Sequence, residues 1–286
     1  GVALTTGSNN TAFGFEALKN EDAHGNNTAI GTQTLFALNA GTDGYNTAVG
    51  YQAGAAVTTG RLNTLIGSLA GDATTTANNV TAVGASALGA NTTGADITAV
   101  GAATLAANTT GASNTAVGYG ALNANTTAGN NIGIGSYSLL VNTTGTDHTV
   151  VGARAGYSVT TGSGNTFLGK FAGYATTTGH SNVFIGYRTT GAFGAGHLVT
   201  TGSKNTILGG FSGNQGGLDI RTSSNNIVLA DGDGNPRGYF NASGHPFFPA
   251  IRNSAGTYAA RISTGTAELT FDTSSARYKD NIRDST

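Results

Sequence analysis

The acidic run Asp231-Gly-Asp233-Gly-Asn235 is the segment of this sequence that most resembles a metal site. Oxygen ligands at alternate positions are what a calcium-binding loop supplies. Such a loop also needs glycine at its sixth position and glutamate at its twelfth, and Pro236 and Ala242 occupy those places here. The sequence therefore favours a tight turn over a calcium site at this point, and it predicts no metal site elsewhere.

The groups that most enzymes use for catalysis are sparse. The five histidines lack metal-ligand spacing, and no Ser/His/Asp set, carboxylate pair or phosphate-binding loop stands out. A glycan-cleaving enzyme would need two carboxylates in one groove. Asp72, Asp96 and Asp147 are instead scattered, although the last two share a repeat phase. The sequence predicts neither an enzyme nor a bound cofactor.

Hydroxyl and amide side chains recur at fixed intervals and raise two further possibilities. N-T-T at Asn91, Asn108, Asn125 and Asn142 matches the glycosylation pattern, but its constant repeat phase favours a turn. Regular threonine arrays on a flat surface can bind ice, but neighbouring residues of a strand point to opposite faces, so ice binding is a remote alternative. The paired threonine ladders are Thr58, Thr75, Thr92, Thr109, Thr126, Thr143, Thr160 and Thr177, and Thr59, Thr76, Thr93, Thr110, Thr127, Thr144, Thr161 and Thr178.

The composition favours a repeat fold. The 286 residues include 46 glycines and 3 prolines, and only 9% are charged. Disordered chains are usually rich in charge and proline, so disorder does not account for these values. The net charge of −1 gives no electrostatic reason to expect nucleic-acid binding. No apolar run is long enough to cross a membrane, and the absence of cysteine excludes disulfides.

A motif of the form Asn-Thr-Ala-Φ-Gly, where Φ is apolar, recurs along most of the chain. Its closing glycines recur with a constant period of 17 from Gly50 to Gly186, whereas one earlier step is 19 and the last is 23. We count positions from the opening residue, so that in one regular unit Asn114 is position 1 and Asn130 is position 17. Units this short, rich in glycine and threonine, exclude helix pairs and predict a parallel β-solenoid with one coil per unit, in which about twelve coils span on the order of 55 Å.

Two positions of the unit predict how a coil packs. Position 4 is apolar in every copy, which predicts an inward-facing residue in the first strand of the coil. Position 8 is always small, as in Ala121, Ser138 and Ala155, which predicts close backbone approach in a second strand. That approach lies either inside a thin coil or at an axis between chains.

Three insertions interrupt the period, near 38–44, at 189–198 and within 210–225. Insertions in solenoids form surface loops and are often found on the binding face. The second insertion contains Phe193 and His197. The sequence therefore predicts a partner- or receptor-binding site at these two residues.

The N-T-A-V-G pattern resembles the head repeats of trimeric autotransporter adhesins of the YadA type, which follow an N-S-V-A-I-G pattern. The resemblance covers about residues 1–230, although the period of 17 is longer than that family's usual unit. Those heads are trimers of left-handed parallel β-rolls. The resemblance thus implies an intertwined or side-by-side homotrimer.

The segment SSARYKDNI, from Ser274 to Ile282, resembles the opening of the endosialidase-type intramolecular chaperone domain of phage tail spikes and fibres. In that family the domain assembles the trimer and then cleaves itself off with a Ser/Lys pair. The resemblance implies that Ser274 is the nucleophile and Lys279 its base, with cleavage at Thr273–Ser274. Ser275 and Tyr278 depart from the family's usual Asp and Leu.

The sequence as a whole predicts a shaft at 1–230, a small β connector at 231–273 and the start of a chaperone domain at 274–286. The expected function is that of a tail-fibre shaft on a virion, which gives reach and attaches to a host receptor or glycan. The alternative is a bacterial surface adhesin or extracellular filament subunit. Neither nucleic-acid binding nor membrane insertion is expected.

Overall fold

The structure, a computed structural model, describes residues 7–21, 24–187, 191 and 193–248, and the backbone of 261–262 and 269–270. It confirms an all-β parallel solenoid, because about 13 coils each contribute one short strand to a single continuous sheet. The parallel strands are β1 (Thr11–Phe13), β2 (Thr28–Ile30), β3 (Thr47–Val49), β4 (Thr64–Ile66), β5 (Val80–Val83), β6 (Ile97–Val100), β7 (Thr115–Val117), β8 (Ile132–Ile134), β9 (Thr149–Val151), β10 (Thr166–Leu168), β11 (Val183–Ile185), β12 (Thr206–Leu208) and, after two intervening strands, β15 (Ile227–Ala230).

The strands pair in a register that places equivalent repeat positions side by side. Thr98 of β6 pairs with Thr115 of β7, its equivalent in the next coil. The insertions leave this register intact, because Thr28 still pairs with Thr47 and Val183 still pairs with Thr206. The additional residues therefore leave the coil as loops, and the ladder of equivalent side chains continues along the whole rod.

The last coil carries additional antiparallel strands. β13 (Asn214–Gln215) and β14 (Leu218–Asp219) form a small hairpin in the third insertion. β16 (Pro236–Phe240) and β17 (Pro246–Phe247) then extend the main sheet antiparallel to β15. A separate pair, β18 (Arg261–Ile262) and β19 (Leu269–Thr270), is also antiparallel. The main sheet thus changes from parallel to antiparallel pairing just after residue 230. Within the described residues, no helix is long and apolar enough to cross a bilayer.

The inward residue of each strand is position 3, so the expectation that position 4 faces the core was wrong. Ala116, Val150 and Phe167, all at position 3, are completely buried. Position 4 lies on the outside, where Ile134 and Val151 are exposed. Because side chains alternate across a strand, only one of these two neighbouring positions can face inward. Position 3 is often alanine, which is less apolar than the residue at position 4, so the sequence did not identify it as the inward position.

The second half of each coil is a series of tight turns, not the second strand that the sequence predicted. Positions 7 and 9 adopt positive φ, even for residues such as Gln33 (57°) and Leu122 (51°). A bulky residue with positive φ is rare, so no sequence rule would have placed leucine there. The small residue at position 8 is buried within the single chain, as Ala121 illustrates. The close approach is therefore inside the coil and not at an axis between chains.

The core of each coil is filled jointly by positions 3 and 9. Most coils with alanine at position 3 use leucine at position 9, as Ala116 and Leu122 do, and both are buried. The coil with Ala48 has Gly54 at position 9 instead, where leucines of the two neighbouring coils fill the space. Where position 3 is phenylalanine, position 9 is glycine, and a Cβ placed on Gly173 would lie 2.5 Å from the Phe167 ring. The rings of Phe167 and Phe184 stack with centroids 5.1 Å apart. Interior volume is thus shared between these two positions of the unit.

A buried asparagine ladder at position 1 ties the coils together. The Asn114 Oδ1 accepts the backbone N–H of Asn131 (3.0 Å), and its Nδ2 donates to the carbonyl of Ala128 (2.8 Å). Most coils repeat this pattern, which satisfies backbone groups that would otherwise be buried without partners. His148 replaces asparagine in one coil and is 1% exposed. Its Nε2 lies 2.7 Å from the Gly162 carbonyl and its Nδ1 accepts the Asn165 N–H (3.2 Å), an arrangement that needs a neutral ring.

Glycine at position 5 is required by the stacking of the coils. Gly101 has φ of +133°, and a Cβ there would lie 2.7 Å from the carbonyl carbon of Gly118 in the next coil. A side chain would therefore be both conformationally strained and sterically blocked. This close approach explains why the closing glycine of the sequence motif recurs at the same place.

Candidate functional site

The outer face of the sheet is formed by the side chains at positions 2 and 4 of the parallel strands. Threonine occupies most of position 2, and Val, Ile, Leu or Phe occupies all of position 4. Position-4 residues such as Ile66, Leu208 and Leu229 are exposed, and no position 2 or 4 along the described strands is charged. The result is one uncharged, ridged surface that runs the length of the solenoid.

A second surface lies on the turns that follow the strands, and we call it the aromatic–cation patch. Its first part is a file at position 7, where Tyr137, Arg154 and Phe171 occupy successive coils. The Arg154 guanidinium carbon lies 5.9 Å from the Tyr137 ring centroid and 6.0 Å from that of Phe171. Lys170, one residue before Phe171, places its Nζ 5.1 Å from the same ring. Aromatic rings therefore contact both cations.

The second part of the patch is a stack of rings at position 10 of three successive coils. Tyr157 and Tyr174 are stacked with centroids 5.0 Å apart, and Tyr174 and His197 are stacked at 4.9 Å. Phe171 contacts Tyr174 edge to face at 5.7 Å, which joins the two parts. We define the patch by its seven central residues: Tyr137, Arg154, Lys170, Phe171, Tyr157, Tyr174 and His197.

The predicted binding residues Phe193 and His197 are brought together at one end of this patch. Their ring centroids are 4.7 Å apart, and His197 also contacts Phe171 at 5.8 Å. Burial lowers the pKa of His197, so that its ring favours the neutral form. Gly194, between these two residues, packs closely on the preceding coil, since a Cβ there would clash with the backbone of Phe171.

Sequence reasoning missed most of the patch, although a signal was present. Tyr137, Arg154 and Phe171 follow one another at the repeat period, as do Tyr157 and Tyr174. In a solenoid that spacing brings side chains next to one another on adjacent coils. A search for chemically unusual residues at a constant phase, rather than for insertions alone, would have found these five.

The acidic run at Asp231 forms a turn. Its carboxylate accepts the backbone N–H groups of Asp233 (3.0 Å) and Asn235 (2.9 Å) and pairs with Arg237. The backbone N–H of Asn235, followed by the Arg237 guanidinium, lowers the pKa of Asp231 to about 2. The Asp231 carboxylate is therefore already engaged, and no cluster of metal ligands occurs among the residues that the structure describes.

The N-T-T asparagines are buried within the coils. Asn108 donates from Nδ2 to the Asn91 Oδ1 (2.9 Å) and to the carbonyl of Gly111 (2.9 Å). All four are fully buried, so a glycan cannot be attached to the folded chain at these positions. The first threonine ladder is also engaged, because each hydroxyl donates to the carbonyl of its equivalent in the next coil, as Thr92 does to Thr109 (3.0 Å).

Ser274 and Lys279, which the chaperone resemblance assigned to self-cleavage, lie outside the described residues. Comparison of the chain with protein-family models, with curated proteins and with solved structures finds no match. Functional assignment therefore depends on the two surfaces described above.

Proposed function

We propose that this chain is the shaft of an extracellular homotrimeric fibre of the phage-tail-fibre type, in which the outer faces of the solenoids pack against one another. The observation that carries the proposal is the unbroken row of apolar side chains at position 4, all of which are exposed or half-buried. Extended apolar surfaces on soluble proteins mark interaction sites. Identical coils in register also offer a second copy a repeating surface that complements its own.

The number of chains follows from the resemblance of the repeat to YadA-type heads, which are trimers. A virion tail or a bacterial cell surface suits such a rod equally, and a bacterial adhesin is the alternative. The Ser/Lys pair at Ser274 and Lys279 would serve assembly of the fibre by releasing a chaperone domain. Ser274→Ala should then abolish cleavage, and undiminished cleavage would reject this role.

The assembly proposal is tested by measuring the mass of the 28.3 kDa chain in solution by light scattering. We expect three chains for the unmodified protein. Val100→Asp combined with Val117→Asp places two charges on the outer face and should give a folded monomer. Thr93→Asp combined with Thr110→Asp adds the same charge at exposed turn positions and should leave the trimer intact. A monomeric unmodified chain, or equal behaviour of the two double variants, would refute the proposal.

A second function is favoured by the chemistry of the same face. Threonine at position 2 and a β-branched residue at position 4 alternate along one strand face, and they recur in register on successive coils, as Thr98–Val100 and Thr115–Val117 do. Rung spacing is about 4.8 Å. This array, unlike the paired threonine ladders, places both side chains on the same face of the strand, as an ice-binding array requires. Thermal hysteresis from a monomer would support ice binding, whereas a trimer without hysteresis would reject it.

A further inference from the structure

The two cations of the aromatic–cation patch have no acidic partner in the described part of the chain. The ion pairs found there involve Lys19, His24, Arg221 and Arg237, and neither Arg154 nor Lys170. Both side chains are exposed, and both contact rings of the patch. Two positive charges are therefore positioned on one surface and are available to an external anion.

The ring stack adds to the same preference. Tyr157 and Tyr174 are stacked at an interplanar angle of 17°, and Tyr174 and His197 at 6°, so the rings cover one another's faces. Because stacking covers the ring faces and all three residues are half-buried, a ligand would meet mainly the ring edges and the tyrosine hydroxyls. Ring edges carry partial positive charge, and a phenolic O–H is a hydrogen-bond donor. Cations, ring edges and hydroxyl donors all favour a ligand that is rich in oxygen and negatively charged.

Acidic residues do not oppose such a ligand. Between residues 100 and 200 the sequence has one carboxylate, Asp147, against the three cations Arg154, Lys170 and Arg188. Asp147 is at position 17, immediately before a strand, whereas the patch is at positions that follow one, and its carboxylate accepts the Thr146 hydroxyl (2.6 Å). The chain as a whole is nearly neutral, but this stretch has an excess of positive charge.

The fold does not require the patch. Earlier coils form the same turns with Ser86 and Ala103 at position 7, and with Gly89 and Ala106 at position 10. A structural aromatic ladder would be expected in every coil. At position 10 a cation and a ring also meet at the start of the chain, where the Lys19 Nζ lies 5.1 Å from the Phe36 ring centroid. At position 7, in contrast, the described coils place solvent-accessible rings and a cation only at Tyr137, Arg154 and Phe171, and this restriction points to recognition.

The dimensions of the patch define the shape of the ligand. From Tyr137 to His197 the patch crosses four coils, and three steps of about 4.8 Å give a length of about 14 Å along the rod. Nucleic acid would call for far more positive charge than two or three cations. An extended peptide would need an unpaired sheet edge, but the backbone of these coils is bonded on both sides, as Phe171 N to Ala153 O and Gly173 N to Ala195 O illustrate.

We propose that the aromatic–cation patch is a binding site for an acidic polysaccharide, with Arg154 and Lys170 pairing with its carboxylate or sulfate groups and the tyrosine hydroxyls contacting its ring oxygens. The proposal rests on the attachment part of the proposed function and names its ligand class. It does not depend on the number of chains, because the patch lies on the turns and not on the outer face.

The test is affinity electrophoresis of the native chain through gels that contain alginate, heparin or neutral dextran. We expect retardation by at least one of the two anionic polymers and none by dextran. Retardation by alginate alone identifies a carboxylated ligand, and retardation by heparin alone identifies a sulfated one. Equal retardation by dextran would overturn the anionic class, and no retardation by any polymer would overturn the site.

Two matched variants decide whether the patch is responsible. Arg154→Ala should weaken binding about tenfold, since it removes a charge-assisted hydrogen bond. Lys204→Ala removes the same charge at an exposed position that precedes β12 and should leave binding unchanged. Equal weakening by the two would overturn the assignment. Light scattering on the same samples separates the two proposals, because a trimer that fails to bind contradicts only this one and a monomer that binds contradicts only the trimer.

Discussion

Phenylalanine at position 3 and glycine at position 9 are expected to act as one unit in the core of a coil. Phe167 is fully buried, and a Cβ on Gly173 would lie 2.5 Å from its ring. Coils with Ala116 and Leu122 at these positions adopt the same fold. The double variant Phe167→Ala and Gly173→Leu therefore reproduces a packing arrangement that the chain already uses.

The magnitudes follow from burial and backbone conformation. Phe167→Ala alone should cost about 3–5 kcal/mol, because it leaves a cavity. Gly173→Leu alone should cost about 2–5 kcal/mol, because it overpacks the core and places leucine at φ of +61°. In the double variant the clash is absent and the leucine refills the cavity, so we expect a cost about 2–3 kcal/mol smaller than the sum of the two.

The assay is urea unfolding followed by far-UV circular dichroism for the unmodified chain, both single variants and the double variant. The free energy of unfolding of each gives the coupling between the two sites. Strong favourable coupling is expected. Additive effects would mean that the two positions do not share interior volume, and the proposed packing rule would then be rejected.

Three further outcomes are expected. Gly101→Ala should lower the free energy of unfolding by about 2–4 kcal/mol, because its φ of +133° strains any side chain, whereas Gly89→Ala should be nearly neutral in the same urea titration. Burial lowers the pKa of His148, so at low pH the unfolded chain binds a proton that the folded chain excludes. The stability of the folded chain should therefore fall as the pH drops below about 6.5. His148→Asn should reduce this loss, as measured by thermal melts at pH 5 and pH 8. Asn108→Ala should cost about 1–3 kcal/mol in urea unfolding, because it leaves buried amide and carbonyl partners unsatisfied.

The period, the fold class and the parallel register could be predicted from the sequence because each depends on a repeated feature. The glycine at position 5 recurs because the backbones of adjacent coils meet there, and this contact fixes the register. Insertions were also correctly recognised as additions outside the coil, since Val183 and Thr206 remain paired across the longest of them. Repetition makes such features visible in a single sequence.

Which face of the strand points inward could not be predicted, for a physical reason. Position 3 is often alanine and position 4 is often valine, so apolarity alone places position 4 inside. A thin coil has room for only a small residue opposite the leucine at position 9, as Ala99 and Leu105 illustrate, and both are buried. The larger apolar residue is therefore excluded from the interior. Interior volume, which sequence patterns do not report, decided the orientation.

The outward orientation of position 4 changes how the outer face is interpreted. Had position 4 been inside, the threonines of position 2 would have been inside with it, and the exterior would have carried the residues of position 3, which in most coils are smaller, such as Ala99 and Gly133. With Ile134, Val151 and Leu208 outside, the surface carries apolar side chains that the coil itself does not need. Another copy of this chain has the same repeat along its length, and the proposed assembly depends on that match. The measurement of solution mass therefore tests whether copies of this chain cover that surface.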